Sequence, residues 1–482
     1  MSAALPTARR LTLASPAGRW VLTAAVLGSG MAFLDTTMVN VALPAIGRDL
    51  GGGFSLLQWV LAAYLLTLAS LVLLGGALGG IRGSDRVFMA GLAAFGLTSS
   101  LCGVAPTGPA LVIFRLLQGA AAGLLIPGSL ALVVTSFAGE ERGRVIGIWS
   151  GLSGLATVVG PLLGGALVEA AGWRWVFLIN VPIAVVALVI ALRHVPANDL
   201  GMRSVREHLD LAGTACCTVG LGLAVYALIE GPQAGSGRLA IVAALVLAVA
   251  ALVAFFVIEG RRDRPMLPLP LFAIRDFAVA NLTTLLVYAA LSVSLFLVVL
   301  QLQRVAGYSA IGSGAALFPI TLLLLLLPPR MGGLVSRMGP RRLMTLGPVV
   351  AAVGLLLFAR VSTTTPYMTV VLPAAVVFGL GLAITVAPLS RTVLRAVPAA
   401  RAAVASGVNN AVARLGGLLA VALVPLMAGL ARSGAAGTPL TQGFHRAMVI
   451  SAVLCVAGAA VSLIGLRSRR RPATSTADPA PV

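Results

Sequence analysis

The 482-residue chain contains no lysine, only 14 acidic residues and only four cysteines, and charged residues make up just 10% of it. A water-soluble domain carries about a quarter of its residues as Asp, Glu, Lys or Arg, so this shortage of charge excludes a soluble globular fold. Disorder is excluded as well, because 59% of the residues are hydrophobic and an unfolded chain needs the opposite balance. Cys102, Cys216, Cys217 and Cys455 all lie in apolar stretches. None has metal-ligand spacing, and they read as small core residues, not as a disulfide framework. The absence of lysine goes with 55 glycines and abundant alanine, a mark of genome composition.

Basic residues are plentiful by contrast. The 34 arginines give a net charge of +20, which on a folded soluble surface would point to nucleic acid. Here they fall in short gaps between apolar runs, so they report membrane topology and no nucleic-acid partner is expected. The first apolar run, Val21 to Ala42 interrupted by Asp35, is too long for a signal-peptide core and is expected to remain as a spanning helix.

A helix crosses the hydrocarbon core in about 20 residues, and continuous apolar runs exclude the alternation of a β-barrel. Runs of that length predict fourteen spans, near 20–42, 56–79, 87–105, 110–136, 144–168, 175–193, 209–230, 238–259, 277–302, 309–329, 342–361, 366–389, 404–430 and 446–466. Basic loops stay on the cytoplasmic side. With both termini inside, the inner segments hold 25 Arg and the outer loops 7, leaving Arg115 and Arg414 within helices.

The segment after the second span repeats after the tenth. Gly76, Leu78, Gly83 and Arg86 match Gly332, Leu334, Gly339 and Arg342 at an offset of 256; Ser150, Gly151, Gly160 and Leu162 match Ser406, Gly407, Gly416 and Leu418 at the same offset. The fold class read from this is an all-α integral membrane protein of 14 transmembrane helices arranged as 6 + 2 + 6. Residues 1–195 form one six-helix bundle, 196–265 two linker helices, 266–468 a second bundle, and 469–482 a disordered cytoplasmic tail. Parallel repeats of this kind build secondary transporters, with substrate bound between halves that rock around it.

Thirteen of the 14 acids lie in loops, near helix ends or in the tail; Asp35 alone has apolar residues on both sides. Counting from Trp20 places it roughly 22 Å along the first helix. An ionised carboxylate at that depth costs at least about 3 kcal/mol, which makes its proton exchangeable and Asp35 the leading proton-coupling candidate. Arg115 reaches a similar depth in the fourth span and must find a carboxylate, carbonyl or water. The two are expected to interact across a shared cavity. Arg414, mid-span, reads as a structural cation that holds the halves together. Met31, Met38, Asn40, Tyr64, Thr67, Gln118, Asn281, Tyr288, Ser292 and Gln301 lie at spanning depth as candidates to line a substrate cavity. Gly160, Pro161, Gly164 and Gly165 put small residues around a proline, which allows close helix contact and a kink. Glu230 and Glu259 close the seventh and eighth spans and read as interfacial.

Together these residues resemble the major facilitator superfamily, specifically its 14-helix drug:proton antiporter branch. The run from Leu34 to Pro44 is similar to that branch's signature around a membrane-embedded Asp, and Gln58, Trp59 and Tyr64 also fit. Arg115, Gln118 and Gly119 resemble the helix-four motif whose Arg is implicated in proton transfer. Gly160, Pro161, Gly164 and Gly165 resemble the helix-five antiporter motif, and Trp173, Arg174, Trp175, Phe177, Asn180 and Pro182 the start of helix six. Gly76, Gly83, Asp85 and Arg86, with Gly332, Gly339, Arg341 and Arg342, are then the cytoplasmic gate loops. One departure stands out: Gly80 occupies a place where the superfamily usually has Asp, and Ser84 and Asp85 a place where it has a basic residue. Asp85 is a shifted candidate for the missing acid.

The resemblance implies a monomeric, proton-coupled exporter of lipophilic small molecules in a bacterial cytoplasmic membrane, with no cofactor beyond the proton gradient. Export of an endogenous metabolite, lipid or siderophore is the alternative. A membrane enzyme needs interfacial clusters of His, Asp or Glu. His194, His208 and His445 supply one loop cluster, His208 with Asp210, and no metal spacing, so neither an enzyme nor a non-transporting sensor is expected.

Overall fold

The structure is a computed structural model describing residues 11–196, 209–233, 235–262, 265–363, 365–398, 401–430 and 437–466. The first half comprises α1 (Pro16–Leu50), α2 (Gly53–Arg82), α3 (Ser84–Gly103), α4 (Gly108–Ser136), α5 (Gly139–Ala170) and a short α6 (Trp175–Leu178) that runs into α7 (Asn180–His194). Next come α8 (Leu211–Glu230) and α9 (Arg238–Arg261). The second half comprises α10 (Arg275–Arg304), α11 (Ala310–Leu326), α12 (Pro328–Met338), α13 (Pro340–Phe358), α14 (Leu372–Arg395), α15 (Ala402–Met427) and α16 (Gly437–Gly465). Among the described residues, 13 helices are long and apolar enough to cross a membrane, α6 and α7 counting as one, and α11 with 17 residues makes the fourteenth span. The chain is a multi-pass membrane protein. Inner denotes here its arginine-rich side and outer the other.

Displacing the first half by 256 residues maps each helix onto one of the second. Thus α1 falls on α10, α3 on α13, α4 on α14, α5 on α15 and α7 on α16. Displaced α2 covers both α11 and α12, so these two are one broken span. The gap-like segment around Gly332 is therefore helical as far as Met338, a correction to the sequence reading. Pro328 opens α12 in the first turn, where its missing N–H has no bond to lose, and so it breaks the span without ending it. The packing repeats in the same way. Helix α1 rests on α5 and α7 as α10 rests on α15 and α16, and α2 rests on α4 as α11 rests on α14. At the matching turns Gly83 and Gly339 take φ of +92° and +79°, a conformation that glycine adopts without a Cβ penalty.

The halves meet through α5 on α11 and α2 on α15, a pair of contacts related by the same offset, while α8 packs on α9 and rests on α2 and α15. On the outer side one buried apolar cluster runs through both halves, from Val39, Leu43 and Ile46 to Phe296, Phe358 and Phe444. Three hydrogen bonds cross there as well: Gln58 Nε2 to the Val421 carbonyl at 2.7 Å, Gln303 Nε2 to the Val41 carbonyl at 3.0 Å, and the Ile311 N–H to Glu169 Oε1 at 2.7 Å. Toward the inner side the core divides. Phe88, Phe95 and Phe137 belong to one cluster that lies mostly in the first half but takes in Leu418 and Ala422 of α15, and Phe277, Met344 and Leu389 to another in the second half, against which Leu73 of α2 packs. Leu152 and Leu155, on the inner part of α5, are 46% and 41% exposed. The one continuous apolar cluster joining the halves thus lies on the outer side.

Candidate functional site

In the first half four helices bring polar side chains to one point. Helix α1 supplies Asp35, α3 Ser99, α4 Arg115 and Gln118, and α7 Asn180, each at most 1% exposed. Arg115 Nη1 donates to Asp35 Oδ2 at 2.6 Å and to Gln118 Oε1 at 2.7 Å. Asp35 Oδ1 accepts from Gln118 Nε2 at 3.0 Å and Asn180 Nδ2 at 3.3 Å. Ser99 Oγ accepts from the same two amides, each at 3.1 Å, and donates to the Phe177 carbonyl at 2.8 Å. Helix α2 contributes backbone and an aromatic face: Arg115 Nε donates to the Val60 carbonyl at 3.1 Å, and the guanidinium lies 4.2 Å from the Tyr64 ring centroid.

Small residues make this convergence possible. A Cβ on Gly119 would strike Thr67 Oγ1 and the Tyr64 carbonyl, so only glycine lets α4 lie against α2 closely enough for Arg115 to reach Val60. Thr67 then bridges the same seam, donating to the Leu116 carbonyl at 2.7 Å.

The chemistry follows from where the bonds go. A lone buried carboxylate costs several kcal/mol, and a guanidinium that loses its partner costs as much. Here each charge has partners besides the other. Asp35 keeps two amide donors; Arg115 keeps Gln118 Oε1, the Val60 carbonyl and the Tyr64 face. A proton can therefore neutralise Asp35 without stranding Arg115. This set of groups has no counterpart in the other half. At the positions 256 residues on from Asp35, Ser99, Arg115 and Gln118 stand Leu291, Leu355, Val371 and Ala374, and they belong to the apolar cluster or pack against it. The scaffold is symmetric; the chemistry is not.

Asp35 and Arg115 meet, but in a closed network and not across an open cavity. Of the candidate cavity residues, Gln118 belongs to this network, while Tyr64 and Thr67 frame it. Met31 and Met38 are packed into the core. Gln301 is buried inside the second half against the Val361 carbonyl and Thr441. Asn40, Tyr288 and Ser292 are half-buried, and Asn281 bonds Asn409. Gly160 and Gly164 bring α5 against Thr37 and Met38 of α1, Gly165 brings it against Ile311, and Gly314 of α11 lies on the Pro161 carbonyl. The motif thus forms part of the α5–α11 seam between the halves. At the inner ends, Asp85 is buried in the first turn of α3, and Arg341 Nε donates to the Leu463 carbonyl at 2.8 Å.

Arg414 lies where the halves meet. It is half-buried on α15 with the Phe33 ring of the other half 5.9 Å from its guanidinium carbon, a contact across the halves in keeping with its expected structural role, and no described acid forms an ion pair with it. No group of three His, Cys, Asp or Glu among the described residues can hold a metal ion. His208 and the tail from 469 onward lie outside the described residues.

Sequence reasoning missed the part played by Ser99 and gave Asn180 no role beyond its motif. Both lie, like Arg115 and Gln118, within about ten residues of the outer end of their spans. Counting depth for every polar residue, as was done for Asp35, carries the signal that finds them.

The family model of the Major Facilitator Superfamily matches residues 25–421. The puromycin resistance protein of Streptomyces alboniger is 37% identical over 413 residues, 84% of this chain and 80% of that one. The cephamycin export protein of Amycolatopsis lactamdurans is 35% identical over 429 residues, 88% of this chain and 87% of that one. Among solved structures, a POT family transporter in complex with a thioalcohol-conjugated peptide superimposes with a TM-score of 0.69 at 15% identity, covering 93% of this chain and 95% of that one.

Proposed function

The chain belongs to the major facilitator superfamily, and on that premise we propose that it exports lipophilic small molecules, antibiotics among them, across the cytoplasmic membrane in exchange for protons. Its termini face the cytoplasm, a reading supported by the arginine distribution, and one chain is the working unit, since each half supplies what the other lacks.

The observation that carries this reading is the Asp35 network. A carboxylate at most 1% exposed, whose cationic partner is independently held by Gln118, Val60 and Tyr64, is suited to lose and regain a proton during turnover. Coupling needs only that proton and substrate favour opposite states of one two-state carrier, or compete for one of them. The α5–α11 and α2–α15 seams are the surfaces about which the halves rock, and a packed outer side is one end of that cycle. The names of the two relatives, one a resistance protein and one an export protein, support the direction and the substrate class. Arg414, between the halves and without an ion-pair partner among the described residues, disfavours dicationic substrates and fits neutral, zwitterionic or monovalent ones.

The test is growth and efflux in a drug-sensitive host with and without the chain, over a panel that includes puromycin and a cephamycin. The expected result is raised tolerance to at least one lipophilic compound, with efflux that a protonophore abolishes. Efflux that persists after the gradient collapses refutes proton exchange; no altered tolerance across a broad panel counts against drug export.

A further inference from the structure

Neutralising Asp35 meets one need and creates another. The contacts that Arg115 keeps account for its charge when a proton arrives, but the new O–H of the acid needs an acceptor. An ionised carboxylate only accepts hydrogen bonds, whereas a protonated one must also donate. The proton belongs on Oδ1, because Oδ2 faces the Arg115 guanidinium at 2.6 Å. Yet Oδ1 is met by two amide donors, Gln118 Nε2 at 3.0 Å and Asn180 Nδ2 at 3.3 Å. One of these amides has to present its oxygen instead. Gln118 is held as it is, since its Oε1 accepts from Arg115 Nη1 at 2.7 Å and from Cys102 Sγ at 3.4 Å. Asn180 is not. Its side chain is fully buried, and its Oδ1 has no hydrogen-bond partner among the described residues.

We propose that Asn180 is a positioning residue for the proton: its amide presents Nδ2 to the ionised Asp35 and turns over to present Oδ1 to the protonated one. The two ends of an amide have nearly the same shape and opposite hydrogen-bonding sense, so the turn needs no extra room. No hydrogen bond holds the far end of the amide, so the charge on Asp35 decides which end faces it. Ser99 follows the turn. Its hydroxyl accepts from Asn180 Nδ2 at 3.1 Å and donates to the Phe177 carbonyl at 2.8 Å; because a hydroxyl does both, it can swing its proton to Asn180 Oδ1 once the amide has turned. A fixed amide would instead set the O–H of Asp35 against an N–H and leave a buried donor unpaired, which is costly. The inference rests on the proton-exchange reading and deepens it, adding the group that lets one buried acid be held in either ionisation state.

The experiment follows the amide itself. The full chain in nanodiscs carries asparagine labelled with carbon-13 in the side-chain carbonyl, and infrared difference spectra between acid and alkaline pH are recorded for wild type, Asn180→Leu and Asp35→Asn. In wild type a labelled amide C=O band is expected to move to lower frequency as pH falls, because the carbonyl passes from no partner to accepting the Asp35 O–H. Its midpoint should coincide with that of the protonated-carboxyl band of Asp35. The labelled band is expected to vanish from the difference spectrum of Asn180→Leu, which identifies it. It should vanish also from that of Asp35→Asn, where no charge changes and the amide stays in place. A purely structural Asn180 gives no such band in any of the three. A carboxyl band that titrates beside a silent or upward-moving amide band, or a labelled band that persists in either variant, overturns the proposal and leaves proton exchange standing. Silence of both bands overturns the exchange reading and the proposal with it. Should Asn180→Leu fail to fold, loss of the band in Asp35→Asn decides alone, because Asn180 is the one asparagine hydrogen-bonded to Asp35 among the described residues.

Discussion

Asp35→Asn is expected to leave a folded protein that no longer drives export with the proton gradient. Asparagine has the shape of the neutral carboxyl and can accept from Arg115, so the replacement holds the site permanently in its protonated form. The fold survives because Arg115 retains the Gln118, Val60 and Tyr64 contacts, the ones that the exchange cycle itself relies on whenever Asp35 carries a proton. What is lost is the change of charge. In proteoliposomes the variant is expected to show no substrate accumulation under an imposed pH gradient, yet to retain gradient-independent exchange of labelled for unlabelled substrate. Accumulation at the wild-type level means that the coupling proton is carried elsewhere.

The second large effect concerns stability. Arg115→Met keeps the volume of the side chain but leaves Asp35 as a buried carboxylate with two amide donors and no countercharge. Removing one partner of a buried pair costs about 3–5 kcal/mol. The melting temperature in detergent should therefore fall well below that of wild type, and the deficit should narrow as pH falls, because a proton then neutralises the stranded carboxylate. Combining Arg115→Met with Asp35→Asn removes both charges and is expected to recover most of the loss. A double variant as unstable as Arg115→Met alone shows that packing on Tyr64 and Phe177, and not charge pairing, is what Arg115 provides.

Much of this was legible before any coordinates. Long apolar runs can only be helices in lipid, and the offset of 256 residues set the correspondence of α2 with α11 and α12 from four matched positions. The pairing of Asp35 with Arg115 followed from depth alone, because two opposite charges buried at one level in neighbouring helices have no better partners. The rest depended on how helices rotate about their axes. Nothing in an apolar run says that Ser99 faces Gln118 rather than lipid, or that Met31 and Met38 turn into the core. Arg414 is a related case: its place between the halves could be expected from its depth, but that its partner there is the Phe33 ring, 5.9 Å away, depends on how the helices rotate. Whether an acid near a helix end meets water or a folded-back loop is likewise a tertiary matter: Glu259, expected at the interface, is buried, and its Oε2 accepts the Leu267 N–H at 3.2 Å.

Symmetry sharpens the functional argument. Two halves with the same packing differ sharply at this buried point, charged in one and filled by Leu291, Leu355, Val371 and Ala374 in the other. Stability alone favours the apolar version, so the charged version is retained for something a hydrocarbon core cannot do. Rocking about the α5–α11 seam requires two similar bodies, whereas sensing a proton requires only one site.

The most direct test is infrared difference spectroscopy of the protein in nanodiscs between alkaline and acid pH, for wild type and Asp35→Asn. Subtracting the variant's difference spectrum from that of wild type isolates Asp35 from the remaining acids. A positive band from the C=O stretch of a protonated carboxyl, accompanied by a shift in the guanidinium modes of Arg115, is the predicted result. A flat double difference across that pH range means that Asp35 never changes its ionisation, and contradicts the exchange mechanism outright.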